Sequence, residues 1–271
     1  MFPARLKKDP RILLLTLIIT FISGANFFSV LLFWPTQAYN VYGHDPVGVG
    51  LRAMPIGFSI LGGAFIVLWL LSIFRGGNRI LMFVSSCFMA AGCGALAAAR
   101  IDNINVVYGL LVIGGLGIGG IVVPASIMTT IICPDDLIAT VTALTLSIRV
   151  IGGAVGYTTY YNIFQTKFVE NITKNMLQVA ISNGIDNITS IIEAAQLTAD
   201  ALVEDILWLP GVDGNVTKYN AIILAGQLSY AESYPYVYYA SIAFGCVAVI
   251  ASMFLGDISK YMDDHVAVVM H

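Results

Sequence analysis

Arg149 is the one formal charge within six otherwise uncharged stretches of this chain, and its position most demands a chemical explanation. An arginine roughly ten residues into an apolar helix is costly in lipid unless its guanidinium meets water, a ligand or a polar partner. Along the same segment Thr142, Thr145, Arg149, Gly152, Gly156 and Tyr160 recur at i+3 and i+4. On a helix that spacing gathers a polar, small-residue stripe on one face, which must turn toward the bundle interior or a cavity. Arg149 there either binds or gates a substrate, or it snorkels to the interface or bonds a helix end. Thr16, Thr20, Ser23 and Asn26 form a second polar line, and Gly119, Ser126, Thr129 and Thr130 a third. Hydroxyls readily bond back to their own helix and so carry less weight, whereas Asn26 is open to an interhelical bond or a place on a pathway. The expected substrate-pathway residues are therefore Arg149, Asn26, Ser126, Thr145 and Tyr160.

Other patterns point away from catalysis. Gly115-Leu-Gly-Ile-Gly-Gly120 fits a dinucleotide-binding spacing, yet no strand precedes it and no ribose-binding acid follows at the expected distance. Gly115 and Gly119 are expected instead to admit a neighbouring helix, as are Gly152 and Gly156. His44, His265 and His271 lack metal-ligand spacing, so no metal site and no cofactor is assigned. Cys87, Cys93, Cys133 and Cys246 fall in apolar stretches or at their edge, which implies no disulfide framework. None of the 16 Asp and Glu residues lies within a stretch. Proton coupling would need a group elsewhere, or an indirect arrangement around Arg149 and the tyrosines. With no nucleophile elbow and no paired intramembrane carboxylates, the chain does not read as an enzyme.

The elements that must position these residues are the six stretches themselves: 12–34, 53–74, 80–99, 103–134, 137–166 and 233–256. About 20 apolar residues cross a hydrocarbon core about 30 Å thick, and each stretch is that long. With 58% hydrophobic and 11% charged residues and a mean hydropathy of +0.85, the chain cannot clothe itself in a polar surface. The expected fold is all-α, an integral membrane six-helix bundle. Spans one to five occupy 1–164, a helical outer loop 165–232, the sixth span 233–256 and a tail 257–271. The first stretch exceeds a signal-peptide core and is read as a retained span.

Seven Lys and Arg residues (Arg5, Lys7, Lys8, Arg11, Arg75, Arg79 and Lys260) fall on the side holding both termini, against Arg52 and Arg100 in the short loops opposite. That bias places both termini in the cytosol. The sequons at Asn171, Asn187 and Asn215 all fall in the loop this orientation turns outward, making them expected glycosylation acceptors. Ile188, Ile191, Ile192, Ala195 and Leu202 recur at helical spacing there, and Leu209-Pro-Gly-Val212 breaks the pattern before a second helix near 216–231. The loop holds eight acidic and three basic residues, and nothing in the charge pattern suits nucleic acid. Tyr230, Tyr234, Tyr236, Tyr238 and Tyr239 read as an interfacial belt.

Three segments resemble the fungal major facilitator transporters of the trichothecene efflux pump type, relatives of drug:proton antiporters and siderophore transporters. They are Phe33-Trp-Pro-Thr-Gln-Ala-Tyr-Asn-Val-Tyr-Gly43 with Asp45-Pro46, Pro55-Ile-Gly-Phe-Ser-Ile-Leu-Gly-Gly63, and above all Pro134-Asp-Asp136 through Arg149-Val-Ile-Gly-Gly-Ala-Val-Gly156. Leu209-Pro-Gly-Val212 and Tyr238-Tyr-Ala-Ser-Ile-Ala-Phe-Gly245 look like the same group's last outer loop and last span. Arg75-Gly-Gly-Asn-Arg79 looks like a degenerate copy of the superfamily's basic turn. Such carriers hold 12 or 14 spans in two bundles, and this sequence is similar to the C-terminal six alone. The resemblance implies efflux of small amphipathic organic molecules, toxins or drugs, by alternating access from a plasma-membrane carrier of which this is one half. Its partners would be a small-molecule substrate, the lipid bilayer, and a missing N-terminal half or a second copy. Two alternatives stay open: a half-bundle without transport of its own, and a carrier taking up siderophore-bound iron.

Overall fold

The computed structural model describes residues 10–43, 45–74, 76–183, 188–199 and 202–258. Seven helices carry them: α1 (Pro10–Tyr42), α2 (Pro46–Ile73), α3 (Asn78–Ala95), α4 (Ile104–Ile132), α5 (Ile138–Asn183), α6 (Ile188–Ala199) and α7 (Val216–Met253). Single 3-10 turns at Leu96–Ala98, Asp135–Leu137 and Val203–Trp208 join some of them, and no strand occurs among the described residues. Every helix except α6 is long and apolar enough to cross a bilayer, giving six spans. The chain is a multi-pass membrane protein built as an all-α bundle.

Local signals set the helix starts. Asp45 accepts hydrogen bonds from the Val47 and Gly48 amides at 3.2 and 2.9 Å, with Pro46 in the first helical turn of α2. Asn215 caps α7 in the same way, accepting from Thr217 and Lys218. Before it, Leu209-Pro-Gly-Val212 makes a tight turn whose Gly211 has φ of +92°, a conformation that disfavours side chains. Leu209 and Val212 are buried beneath that turn, and Lys218 Nζ closes it on the Gly211 carbonyl at 2.8 Å.

The bundle is organised around α4, which packs between α2 and α3 with α1 beside it, while α5 lies along α1 and α7. The expected glycine contacts are present. A methyl group on Gly115 would strike Ser59 of α2, and one on Gly119 would overlap the Ile60 backbone. The opposite side of α4 is equally bare, because Gly117 abuts the Met89 backbone and Gly114 meets Gly92 of α3. Residues without side chains thus let α4 touch two neighbours backbone to backbone, the route to helix association in lipid, where burial of apolar surface supplies no driving force.

The outer segment departs from the sequence expectation in three respects. Helix α5 continues past Thr166 to Asn183, helped by an exposed Lys167–Glu170 ion pair of 2.8 Å at i+3. Helix α7 runs unbroken from Val216, so the expected second loop helix and the sixth span are one element, leaving α6 as the separate amphipathic helix. Third, the tyrosines do not form a single belt. Tyr230, Tyr234 and Tyr238, spaced at i+4, are buried, the first two stacking against Phe164 and Phe168 of α5, and only Tyr236 and Tyr239 are exposed. Asn187, Asp200, Arg5, Lys7, Lys8, Arg75, Lys260, the three histidines and the tail beyond Ile258 lie outside the described residues.

Candidate functional site

The polar stripe of α5 turns inward along its length. Thr145 and Tyr160 are fully enclosed, Gly152 and Gly156 are buried, and Arg149 keeps 8% of its surface exposed. Glycine makes this possible, since a methyl group on Gly152 would overlap the Phe21 carbonyl and one on Gly156 would strike Ala25. Gly24 reciprocates from α1 by admitting the Arg149 backbone. Helices α1 and α5 are therefore in direct main-chain contact.

Toward α4 the contact is polar. Arg149 Nη2 donates to the Val122 carbonyl and, at 2.9 Å, to Ser126 Oγ. About one turn further along, the Thr129 and Thr145 hydroxyls share a hydrogen bond of 3.0 Å. Pro124 lies between Val122 and Ser126 and has no N–H to give Gly120, so α4 lacks one of its own bonds where the cation docks. Arg149 Nε has no partner among the described residues. Among the described residues no carboxylate pairs with the guanidinium, and its hydrogen bonds go to neutral acceptors.

Asn26 and Tyr160 form a separate pair. Tyr160 OH donates to Asn26 Oδ1 at 2.8 Å across the α1–α5 contact, leaving Asn26 Nδ2 unpartnered. Tyr160 sits eleven residues beyond Arg149 on α5, about 16 Å at 1.5 Å per residue. The structure thus gathers Arg149, Ser126 and Thr145 at one place and Asn26 with Tyr160 at another. Nearer the C-terminal end of α1, Tyr238 OH donates to Gln37 Oε1 at 2.5 Å, a buried link that the sequence reading did not identify. Thr16, Thr20 and Ser23 each donate to a carbonyl of their own helix at 2.7–2.9 Å.

The sequence reading also missed the opposite face of α5. Ser147, Ala154, Thr158, Tyr161, Asn162 and Gln165 follow helical spacing on the side turned away from the bundle, with the exposed aliphatics Val150 and Ile151 among them in its first half. Tyr157 and Tyr161 are 37% and 42% exposed and stack at 5.9 Å, with Gln165 Nε2 donating to Tyr161 OH at 2.7 Å. The open face of α2 differs completely, presenting Met54, Phe58, Leu61, Phe65, Trp69 and Ile73. Exposed apolar side chains suit lipid, whereas a mixed aromatic and polar face at membrane depth suits water, substrate or protein. The period of 3.6 carries the signal for this face as it does for the inward stripe.

Two expected sugar acceptors lie among the described residues. Asn171 sits within α5, and its Nδ2, the atom that would carry a glycan, donates to Ser233 Oγ at 2.9 Å. Asn215 is exposed at the start of α7 and uses only Oδ1 for capping.

Comparison with known proteins agrees with this architecture. The family described as fungal trichothecene efflux pump (TRI12) matches residues 1–271. A trichothecene efflux pump of Fusarium sporotrichioides is 24% identical over 270 residues, covering 98% of this chain and 44% of the relative. One from Trichoderma arundinaceum is 23% identical over 256 residues, 92% of this chain and 42% of the relative. A probable efflux pump of Penicillium aethiopicum, gsfJ, is 24% identical over 182 residues, 65% and 32% respectively. The chain thus spans less than half the length of these relatives.

Proposed function

Because this chain belongs to the fungal trichothecene efflux pump family, we propose that it is a transport half-bundle: the C-terminal six spans of a carrier that exports small amphipathic organic molecules, toxins or drugs, by alternating access. The observation that carries this reading is the ladder of α5, Tyr157, Tyr161, Thr158 and Asn162 exposed with Gln165 half-buried, lying within a membrane span, where the open face of α2 is by contrast wholly apolar. Such a face serves as one wall of a pathway whose other wall is a second bundle, either an N-terminal half or another copy. Stacked tyrosines offer flat apolar area, and the adjacent amides and hydroxyls offer hydrogen bonds, which together suit amphipathic cargo.

Arg149, Ser126 and Thr145 take the part of a latch between α4 and α5, closing one edge of the wall, and Asn26 with Tyr160 fixes α1 against α5. The carrier lies in the plasma membrane with both termini cytoplasmic, which turns the α5 extension, α6 and the start of α7 outward and leaves Asn187 and Asn215 as the glycan acceptors. In cells expressing the transporter, Tyr161→Ala and Asn162→Ala are expected to raise retention of a fluorescent amphipathic substrate at unchanged surface abundance. Unaltered export by both variants would remove the α5 face from the pathway. Uptake of a ferric siderophore in place of export would favour the alternative cargo.

A further inference from the structure

At the end of the bundle where α1 and α3 begin and α7 ends, a pocket of about 650 Å³ opens between the three helices. It is lined by Arg11 and Arg79 together with the acid Asp257, and by the apolar Ile80, Phe83 and Met253. Arg11 Nη2 is anchored on the Phe254 carbonyl at 3.0 Å. Asn78 holds the rim from α3, donating to the Gly256 carbonyl at 2.9 Å and accepting from the Ile258 amide at 3.4 Å. The rim is thus built by side chains that satisfy carbonyls of the chain just past the end of α7. Arg79 differs, being exposed and making no hydrogen bond or ion pair with any described residue. An arginine lining the same pocket as a second guanidinium, with no acceptor among the described residues, is a ready site for a phosphate oxygen pair.

The apolar side identifies the source of that phosphate. Ile80 and Met253 are exposed on the outer surface of membrane-spanning helices, where acyl chains run. A soluble anion would use the arginines and leave this wall unused, whereas a lipid engages both. We infer that this pocket binds an anionic phospholipid, its phosphate between Arg11 and Arg79 and one acyl chain along Ile80, Phe83 and Met253. Basic pockets between helices at the cytoplasmic boundary are the places where such headgroups are held. The site depends on the proposed function only for the leaflet it faces, and binding needs no transported cargo.

The test uses the purified full chain in detergent, titrated with phosphatidylserine or phosphatidylcholine of matched acyl chains and read by native mass spectrometry. Phosphatidylserine is expected to bind in preference, and Arg79→Gln to weaken it about fivefold, the scale of one basic residue at an anionic membrane surface. Asp257→Asn is expected to tighten the same lipid, and Arg100→Gln, at the opposite end of the bundle, to leave it unchanged. Arg79 has no partner to lose, so the melting temperature of its variant should match the parent. Equal retention of the two lipids, equal losses from Arg79→Gln and Arg100→Gln, or weaker binding after Asp257→Asn would each overturn the inference. Displacement of phosphatidylserine by millimolar inorganic phosphate would identify a soluble anion as the ligand and refute the lipid.

Discussion

Replacing Arg149 with leucine separates a structural arginine from a working one. The substitution removes two hydrogen bonds from a charged donor, one to the Val122 carbonyl and one to Ser126 Oγ. Bonds of this kind contribute about 1.5–3 kcal/mol each where the partner is otherwise satisfied at full cost. Val122 O also receives the Ser126 hydroxyl at 3.2 Å, so neither acceptor is abandoned, and the loss falls at the lower end, about 3 kcal/mol for the pair. Against this, an arginine at the centre of a membrane helix costs about 2.5–3.5 kcal/mol by insertion scales, a term that leucine abolishes. The two nearly cancel. Arg149→Leu should therefore melt within a few degrees of the parent when followed by thermal unfolding in detergent, while export of a fluorescent amphipathic substrate from cells collapses. A melting temperature lowered by more than ten degrees, accompanied by retained export per folded molecule, would show that the guanidinium serves only to hold α4 and α5 together.

Gly119→Ala forces a methyl group into the Ile60 backbone and should cost about 1–3 kcal/mol, whereas Gly109→Ala in the same helix meets open space and should be neutral or stabilising by up to about 1 kcal/mol; thermal melts of the two variants make the comparison. In an Asn187→Gln background, Asn215→Gln should abolish a glycosidase-sensitive mobility shift that Asn171→Gln leaves intact, because the Asn171 amide is engaged with Ser233 within the α5–α7 contact. Equal loss from both variants would mean that modification precedes formation of that contact. Tyr160→Phe removes one hydroxyl and leaves Asn26 without any bonded atom, so it should destabilise the bundle by about 1–3 kcal/mol, measured by the same melts. Asn26→Leu combined with Tyr160→Phe should recover part of that loss.

The spans were legible because their signal is local: an uncharged run long enough to cross lipid leaves a helix as the structure that satisfies its own backbone. The inward direction of Thr145, Arg149 and Tyr160 followed from periodicity alone. What Arg149 bonds did not, because Val122 and Ser126 lie 27 and 23 residues away and nothing in their types announces the pairing. The outer segment was harder still. Lys167, Glu170 and Lys174 interrupt the hydrophobic run and read as the start of a loop, yet charged residues are good helix formers, and α5 continues through them. Tyr230, Tyr234 and Tyr238 were misread for a related reason. Tyrosine near a span end usually faces headgroups, but Phe164 and Phe168 of α5, distant in sequence, draw Tyr230 and Tyr234 inside, and Gln37 of α1 holds Tyr238 there.

The unlike joints on the two flanks of α5 have a mechanical consequence. Against α1 it is welded by glycines, and sliding there would drive main chain into main chain. Against α4 it is fastened by a handful of exchangeable bonds centred on one cation, which water or a passing molecule can replace one for one. Shape change in this bundle should therefore begin as α1, α5 and the α7 packed against both swing together like a door leaf, opening at the α4–α5 edge and hinging where α1 stays against α4.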